Sequence, residues 1–171
     1  PNSVASSFSL AGPVDAGRLR RAFQGVIDRN EALRTVFEEQ DGIPRQRFLA
    51  ALEAPFVEID LAGRPDPEAE ARAWVRQRHL IPFDFSRRLL DSALIHLSED
   101  RHIWYLNHHQ IVGDAWTTTL IFRRLAELFE QPADGSFGAA RVWPQFRLYL
   151  EHKRASRDSP GFAKSQRYWQ E

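Results

Sequence analysis

The sequence has 171 residues, of which 43% are hydrophobic and 12% aromatic, which is enough for one domain with a packed core. Its 23 lysines and arginines balance its 23 aspartates and glutamates, so the basic excess that is typical of nucleic-acid-binding proteins is absent. Because there is no cysteine and no apolar run of roughly 18 residues, we expect a cytoplasmic protein without disulfides, metal or a membrane partner.

The first predicted elements are a strand and a helix. Val4–Leu10 has the composition of a strand, and the Gly12-Pro13 pair ends it. Asp15 can cap the helix that follows, which we expect to end near Asn30. One face of this helix is apolar, with residues at the i, i+3, i+4, i+7 and i+8 positions: Leu19, Ala22, Phe23, Val26 and Ile27.

A hairpin, a strand and a second helix follow. The hairpin begins at Thr35 and returns at residues 46–49, and we expect a longer loop around Asp41-Gly42. Residues 56–59 alternate as a strand does. The Asp66-Pro67 pair predicts a helix start, with Trp74 and Val75 packed inward and an end near His79. Residues 82–85 are predicted to form a buried connector.

Two strands and three helices complete the prediction. Residues 93–97 and 103–108 read as paired strands, and residues 103–106 are apolar on both faces, as in the centre of a sheet. A helix over 114–129 follows, then a loop over 131–140. Two more helices are predicted, over 145–154 and 161–169. We therefore predict a mixed-sheet α/β fold, a two-layer sandwich with helices on one face.

The junction between the second of these strands and its helix is the candidate site. His108, His109 and Gln110 stand at the strand end, and Asp114 opens the helix. A neutral imidazole there can accept a proton from an amine or hydroxyl, and an aspartate can cap the helix or form an ion pair. Taken alone, however, paired histidines on a strand more often pack or face solvent than catalyse a reaction, and Trp116 would be expected in the core.

A series of motifs along the chain resembles the condensation domains of nonribosomal peptide synthetases. Residues 29–37 match the family's RHExLRTxF motif except at Asn30, and residues 114–117 match the end of HHxxxDGWS. Further matches, in the family's order and spacing, are residues 12–15, 41–46, 82–84, 143–150 and 168–169.

The resemblance implies one lobe of a two-lobe fold similar to chloramphenicol acetyltransferase, with residues 1–171 as the N-terminal lobe. The family's opening helix and second lobe have no counterpart here, and the sequence has no methionine, so we expect a piece of a longer protein. The implied partners are this second lobe and carrier domains, which bear the substrates on phosphopantetheine. No cofactor binds the chain directly in this interpretation. An unpaired lobe is expected to expose an apolar face and to self-associate.

Two registers fit the family's histidine motif. Without a gap, Asp114 aligns with the motif aspartate, His109 with the first histidine and Gln110 with the second, which the family uses near the attacking amine. With an insertion, His108 and His109 form the pair and the loop must bulge. We favour the gapless register, since a slip along a strand also changes which face a side chain occupies.

The resemblance also implies that Asp114 has a structural role and does not transfer a proton. The family's aspartate pairs with an arginine, which here is Arg29, Arg34 or a residue of the second lobe. Asp91 stands where many relatives carry arginine. Three functions stay open: amide formation between carrier-bound groups, a catalytically impaired module that docks carriers or a partner enzyme, and a standalone acyltransferase. Gln110 and Asn30 favour the second of these.

Overall fold

The structure is a computed structural model that describes residues 2–131, 143–157 and 159–170. The chain divides into two compact units, Pro1–Ala140 and Arg141–Glu171, and each is described by itself. In chain order, the first unit contains β1 Ser3–Ala11, α1 Ala16–Asp28, a short 3-10 helix Glu31–Arg34, β2 Thr35–Gln40, β3 Ile43–Phe48, β4 Val57–Asp60, α2 Pro67–His79, β5 Leu90–Ser98, β6 Arg101–His109 and α3 Ala115–Phe129. The second unit contains α4 Phe146–Arg157 and α5 Pro160–Gln170.

A four-stranded mixed sheet forms the centre of the first unit. Its strand order is β1-β6-β5-β4, with β4 parallel to β5 and the other pairs antiparallel. The run from Trp104 to His108 is buried throughout, as expected for a strand with neighbours on both sides and helices above and below. The predicted central position of this strand is therefore confirmed, and so is the mixed-sheet α/β fold.

The helices lie on both faces of the sheet. On one face, α1 and α3 pack through Phe23 and Phe122 against Trp104, with ring centroids 5.7 and 6.3 Å away. On the other face, Trp74 of α2 meets Tyr105 edge-on at 5.4 Å. The prediction that helices cover only one face is therefore wrong. Side chains of successive strand residues point to opposite faces, and β6 supplies large apolar groups to both.

The β2–β3 hairpin has a tighter turn than predicted. Its strands pair up to Gln40 and Ile43, so the loop is only the two residues Asp41 and Gly42. Both have positive φ, 52° and 74°, as a two-residue turn matched to strand twist requires. The prediction of a longer loop is wrong because an Asp-Gly pair can close the hairpin alone.

Several predicted boundaries are confirmed. Asp15, Asp66 and Asp114 each cap a helix by accepting a backbone N–H three residues on, at 2.9 Å in all three cases. The two C-terminal helices form close to their predicted ranges, whereas the predicted loop over 131–140 lies outside the described residues except at its start. Among the described residues, no helix is both long and apolar enough to cross a bilayer.

Candidate active site

The candidate site is the turn that joins the central strand β6 to α3. β6 pairs with β1 without a bulge up to His109, which lies opposite Ser3. The backbone N–H of Gln110 donates to the carbonyl of Asn2 at 2.9 Å, so the turn begins immediately after the last pair. It ends at Asp114, the cap of α3. Gly113 must lack a side chain because a Cβ there would stand 2.6 Å from the Thr117 methyl carbon.

His108 is a buried structural histidine. It is fully inaccessible to solvent, and its Nε2 lies 2.9 Å from the hydroxyl oxygen of Thr118 on α3. Burial lowers the pKa of His108, because a charged imidazole is poorly solvated in the interior. The side chain therefore stays neutral at neutral pH and ties the strand to the helix that follows.

His109 points to the opposite face and is only half-buried. Its Nδ1 accepts the backbone N–H of Ile111 at 3.1 Å. In the neutral ring the proton then resides on Nε2, which becomes a hydrogen-bond donor. Burial is the first cause of the lowered pKa of His109, so the neutral form prevails at neutral pH.

Two phenylalanines from the segment before β5 fix the ring of His109. Phe85 stands edge-on at 4.7 Å and Phe83 at 6.4 Å between ring centroids. The segment is held at both ends, since the Phe85 carbonyl accepts the N–H of Phe37 at 2.8 Å and the Leu89 carbonyl accepts that of His109 at 2.9 Å. The prediction that this segment is wholly buried is wrong, because Phe85 is 39% exposed.

Gln110 is the first residue of the turn, and it is exposed. Strand alternation places His108 and His109 on opposite faces of the sheet, and Gln110 follows at the sheet's end. Its carboxamide can donate and accept hydrogen bonds, but it cannot take up a proton at neutral pH. At this exposed position the turn therefore presents a hydrogen-bonding group and not a base.

Asp114 serves as a helix cap. Its carboxylate accepts the backbone N–H and the hydroxyl of Thr117 at 2.9 and 3.0 Å, while its own N–H donates to that hydroxyl at 3.1 Å. The hydrogen bonds from Thr117 hold the pKa of Asp114 below its ordinary value, so the group is charged. The predicted structural role is in line with this geometry.

Neither candidate arginine bonds to this cap. Arg29 donates to the Gly25 carbonyl at 3.1 Å, and Arg34 donates to the carbonyls of Ile27 and Leu49 at 2.6 and 3.0 Å. Within the described residues, no cation forms an ion pair with Asp114. Of the three alternatives for the partner of Asp114, the structure thus does not bear out Arg29 or Arg34, because both guanidiniums hold backbone carbonyls, and an arginine of the second lobe stays a prediction.

Asp91 forms an ion pair with an arginine of α2. It is buried on β5 and forms a two-pronged ion pair with Arg78 of α2, with one N–O distance of 3.0 Å. The sequence marked Asp91 as unusual but missed its partner, which lies 13 positions earlier on another element. Thr118 and Phe85 were missed as contacts of the histidines for the same reason: each contact joins separate elements.

Apolar side chains surround the turn on the outside. Trp116 is 65% exposed, Ile111 50% and Leu120 40%. The expectation that Trp116 lies in the core is wrong, since the cap at Asp114 starts a helix whose second residue points to solvent. The described residues contain no cluster of metal-binding side chains.

The comparisons with known proteins point in one direction. The family model described as the condensation domain matches residues 3–171. Isonitrile lipopeptide synthase from Streptomyces coeruleorubidus is 31% identical over 98% of this chain and 12% of its own length. Surfactin synthase subunit 1 from Bacillus subtilis is 30% identical over 95% of this chain and 4% of its own length.

Solved structures agree with the sequence relatives. The starter condensation domain of rhizomide synthetase RzmA superposes with a TM-score of 0.89 at 25% identity, over 98% of this chain and 41% of that one. The first condensation domain of the calcium-dependent antibiotic synthetase, in complex with a substrate analogue, gives 0.84 at 28% identity over 98% and 42%. The chain thus spans about two fifths of the length of these solved domains.

Proposed function

The chain belongs to the condensation-domain family, and from this premise we propose that it is the N-terminal lobe of a domain that joins two carrier-bound groups through an amide bond. The observation that carries the proposal is the junction of β6 and α3, with His109, Gln110 and the Asp114 cap in the order of the family's motif. The match over residues 3–171 supports it along the whole chain.

The proposed reaction is the attack of an amine on a thioester. The ammonium of the acceptor first loses a proton to water, and its nitrogen then bonds to the thioester carbon. The carbon–sulfur bond breaks as a second proton from the nitrogen passes, through water, to the sulfur, which releases the donor arm as a thiol. We assign Gln110 to orienting the amine through its carboxamide oxygen. Nε2–H of His109 is a donor that can stabilise negative charge on the thioester oxygen. Much of the rate would come from placing two tethered substrates together.

The gapless register is the basis of these roles. The pairing of β6 with β1 is regular up to His109, so in the alternative register the extra residue would lie in the turn that follows the strand. The burial of His108 and its contact with Thr118 favour the gapless register, because that ring has no path to a substrate. In the alternative register, His109 would be the base and would have to release the Ile111 N–H from its Nδ1 or lose the proton on Nε2.

The proposed partners follow from the family. Carrier domains would bring the donor and acceptor groups on phosphopantetheine, and a second lobe would complete the site. Exposed Phe85, Ile111, Trp116 and Leu120 around the turn support a covering lobe. Self-association of the unpaired lobe is proposed on the same grounds.

A catalytically impaired module that docks carriers is the second candidate. Gln110 favours it, because the position lacks a group that can take the amine proton. Asn30 does not favour it, because this residue has a local structural role. Its side chain accepts the N–H of Ala32 at 3.2 Å and caps the short helix that precedes β2.

The decisive assay uses the two-lobe domain that contains this chain, with a donor and an acceptor carrier loaded with their acyl groups. Intact mass spectrometry should show the acceptor carrier gaining the donor's acyl mass. A control lacking the domain measures spontaneous transfer. If both carriers bind but transfer does not exceed the control for any donor and acceptor pair, the docking-only function is correct.

A further inference from the structure

A cavity of about 240 Å³ opens on the α2 face of the sheet, beside His109. It lies between the C-terminal end of α2, the segment 81–88 and the strands β5 and β6. Three arginines, Arg78, Arg87 and Arg88, line the cavity, and we therefore call it the arginine cavity. Phe83, Asp91 and Asn107 also line it. Ile81 and Pro82 complete an apolar wall.

The arginine cavity carries an excess of positive charge. The carboxylate of Asp91 is occupied by Arg78, and Asp84 accepts the backbone N–H and the hydroxyl of Ser86 at 2.9 and 2.7 Å. Those two bonds lower the pKa of Asp84, so it is charged, and three cations then face two anions. Among the described residues, no side chain forms an ion pair or a hydrogen bond with the guanidinium of Arg88.

A buried polar atom points to a ligand as well. Asn107 lines the cavity and is only 1% exposed, and its Oδ1 makes no well-aligned hydrogen bond among the described residues, although the Tyr105 hydroxyl interacts with the same amide. A buried carbonyl without a full partner costs free energy and is satisfied by the protein, by water or by a bound group. A donor from a bound group, such as the N–H of an amide or amine, would complete the bonding of this oxygen.

The cavity is close to the candidate active site. Asn107 and His109 lie on the same face of β6, two residues apart. Phe83 lines the cavity and stands edge-on to the ring of His109, with centroids 6.4 Å apart. Phe83 is therefore a common neighbour of the cavity and of His109.

We propose that the arginine cavity binds the side-chain carboxylate of an acidic aminoacyl group whose reacting end lies at His109 and Gln110. Its volume is below the roughly 300–1,000 Å³ of sites for whole ligands, which suits one side chain. The planar guanidinium of Arg88 matches a carboxylate, and an N–H of the same aminoacyl group satisfies Asn107. The phosphate of a phosphopantetheine arm is excluded as occupant because it lies at the opposite end of the arm from the thioester.

The first test measures binding of N-acetyl-L-glutamate to the ¹⁵N-labelled protein by amide NMR. N-acetyl-L-glutamine has the same shape and the same α-carboxylate but lacks the side-chain charge, so it is expected to bind roughly tenfold or more weakly, as for the loss of one charge-assisted pair. Arg88→Gln should remove this preference. The matched control, Arg123→Gln, changes an exposed arginine of α3 on the other face of the sheet and should leave the preference intact.

Several results would overturn the proposal. They are equal affinity for the two probes, no saturable binding of the glutamate probe, and equal losses in both arginine variants. Tighter binding of free phosphopantetheine, with displacement of the glutamate probe, would show that the cavity recognises the carrier arm instead. An unchanged melting temperature of Arg88→Gln establishes that a lost preference is not a loss of fold.

The assignment to an aminoacyl group rests on the proposed function. A second measurement distinguishes a failure of the cavity proposal from a failure of the proposed function. In the two-lobe domain, glutamyl- and glutaminyl-loaded carriers compete for condensation, and Arg88→Gln should lower the glutamyl-to-glutaminyl rate ratio roughly tenfold. An unchanged ratio contradicts the cavity's role. Absence of any condensation contradicts the proposed function, while the NMR preference still decides whether the cavity binds acids.

Discussion

The two faces of the central strand β6 have different chemistry. Under α1 and α3, the face is dry: Trp104 packs among phenylalanines and donates to the Ser92 hydroxyl at 2.9 Å, and Nε2 of His108 contacts Thr118, while its Nδ1 has no partner among the described residues. Under α2, the face carries the Arg78–Asp91 pair, the buried Asn107 amide and the half-buried His109. One strand thus stabilises the domain with one set of alternate side chains and presents polar groups with the other.

The largest effect on stability should come from breaking the ion pair on the polar face. Asp91→Ala leaves Arg78 without its carboxylate in a partly buried position. We expect a loss of about 3 kcal/mol in the free energy of unfolding, at the lower end of the range for buried pairs because Arg78 keeps some solvent contact. Urea unfolding measures it.

A matched control for this change is Glu58→Ala. Glu58 pairs with Arg20 at 3.4 Å on the surface, and such pairs contribute little. Equal losses in the two variants would mean that the Arg78–Asp91 pair is not a special feature of the polar face.

On the dry face, Thr118→Val keeps the shape of the side chain and removes the partner of His108 Nε2. Leaving this buried nitrogen unbonded should cost about 2 kcal/mol in the free energy of unfolding. Thr119→Val, at an exposed position of the same helix, is the control. A neutral Thr118→Val would indicate that the His108–Thr118 contact does not stabilise the junction.

The lowered pKa values of His108 and His109 predict how stability depends on pH. Both rings bind a proton more readily in the unfolded chain than in the folded one, so the unfolded state gains protons as the pH falls below the ordinary histidine value of about 6.5. Stability should therefore be highest above this pH and fall below it, by at most about 1.4 kcal/mol per pH unit for each ring. His108→Gln should flatten the slope between pH 6.5 and 5, and an unchanged slope would assign it to other groups.

The smallest effect on stability is expected at the Asp114 cap. Asp114→Ala removes the bonds to Thr117 from the exposed start of α3, so thermal unfolding should shift down by a few degrees. Asp114→Asn, which can still cap, should recover most of the shift. Unchanged melting in Asp114→Ala together with abolished condensation would instead give Asp114 a direct chemical role.

The sequence predicted the features that depend on local patterns. Helix starts at Asp15, Asp66 and Asp114 follow from capping chemistry, and the central position of β6 follows from its apolar run. The face of the sheet on which each helix packs could not be predicted from the sequence. Trp74 and Val75 indicate that α2 packs on the sheet, but both faces of the buried strand β6 are apolar, so nothing in the pattern selects the face that α2 covers.

The same limit applies to the candidate site. Motif order brought His109, Gln110 and Asp114 together in one turn, where the structure also has them. The contacts that set their chemistry are between distant positions: Ile111 closes on His109 because the turn is tight, and Phe85 reaches it from the segment before β5. The partner of Asp91 could not be read from the sequence, because many arginines stand at comparable separations.

The central claim, that Gln110 holds the place of the family's second histidine, is tested most directly by Gln110→His in the two-lobe domain with loaded carriers. A general base typically contributes roughly 100- to 10,000-fold, so the condensation rate followed by intact mass spectrometry should rise clearly. His109→Ala in the same background should lower the rate without abolishing it, since the ring, with its Nδ1 bonded to Ile111, contributes a hydrogen-bond donor through Nε2 and not a base. No gain from Gln110→His, together with abolished activity in His109→Ala, would contradict the account and make His109 the working base.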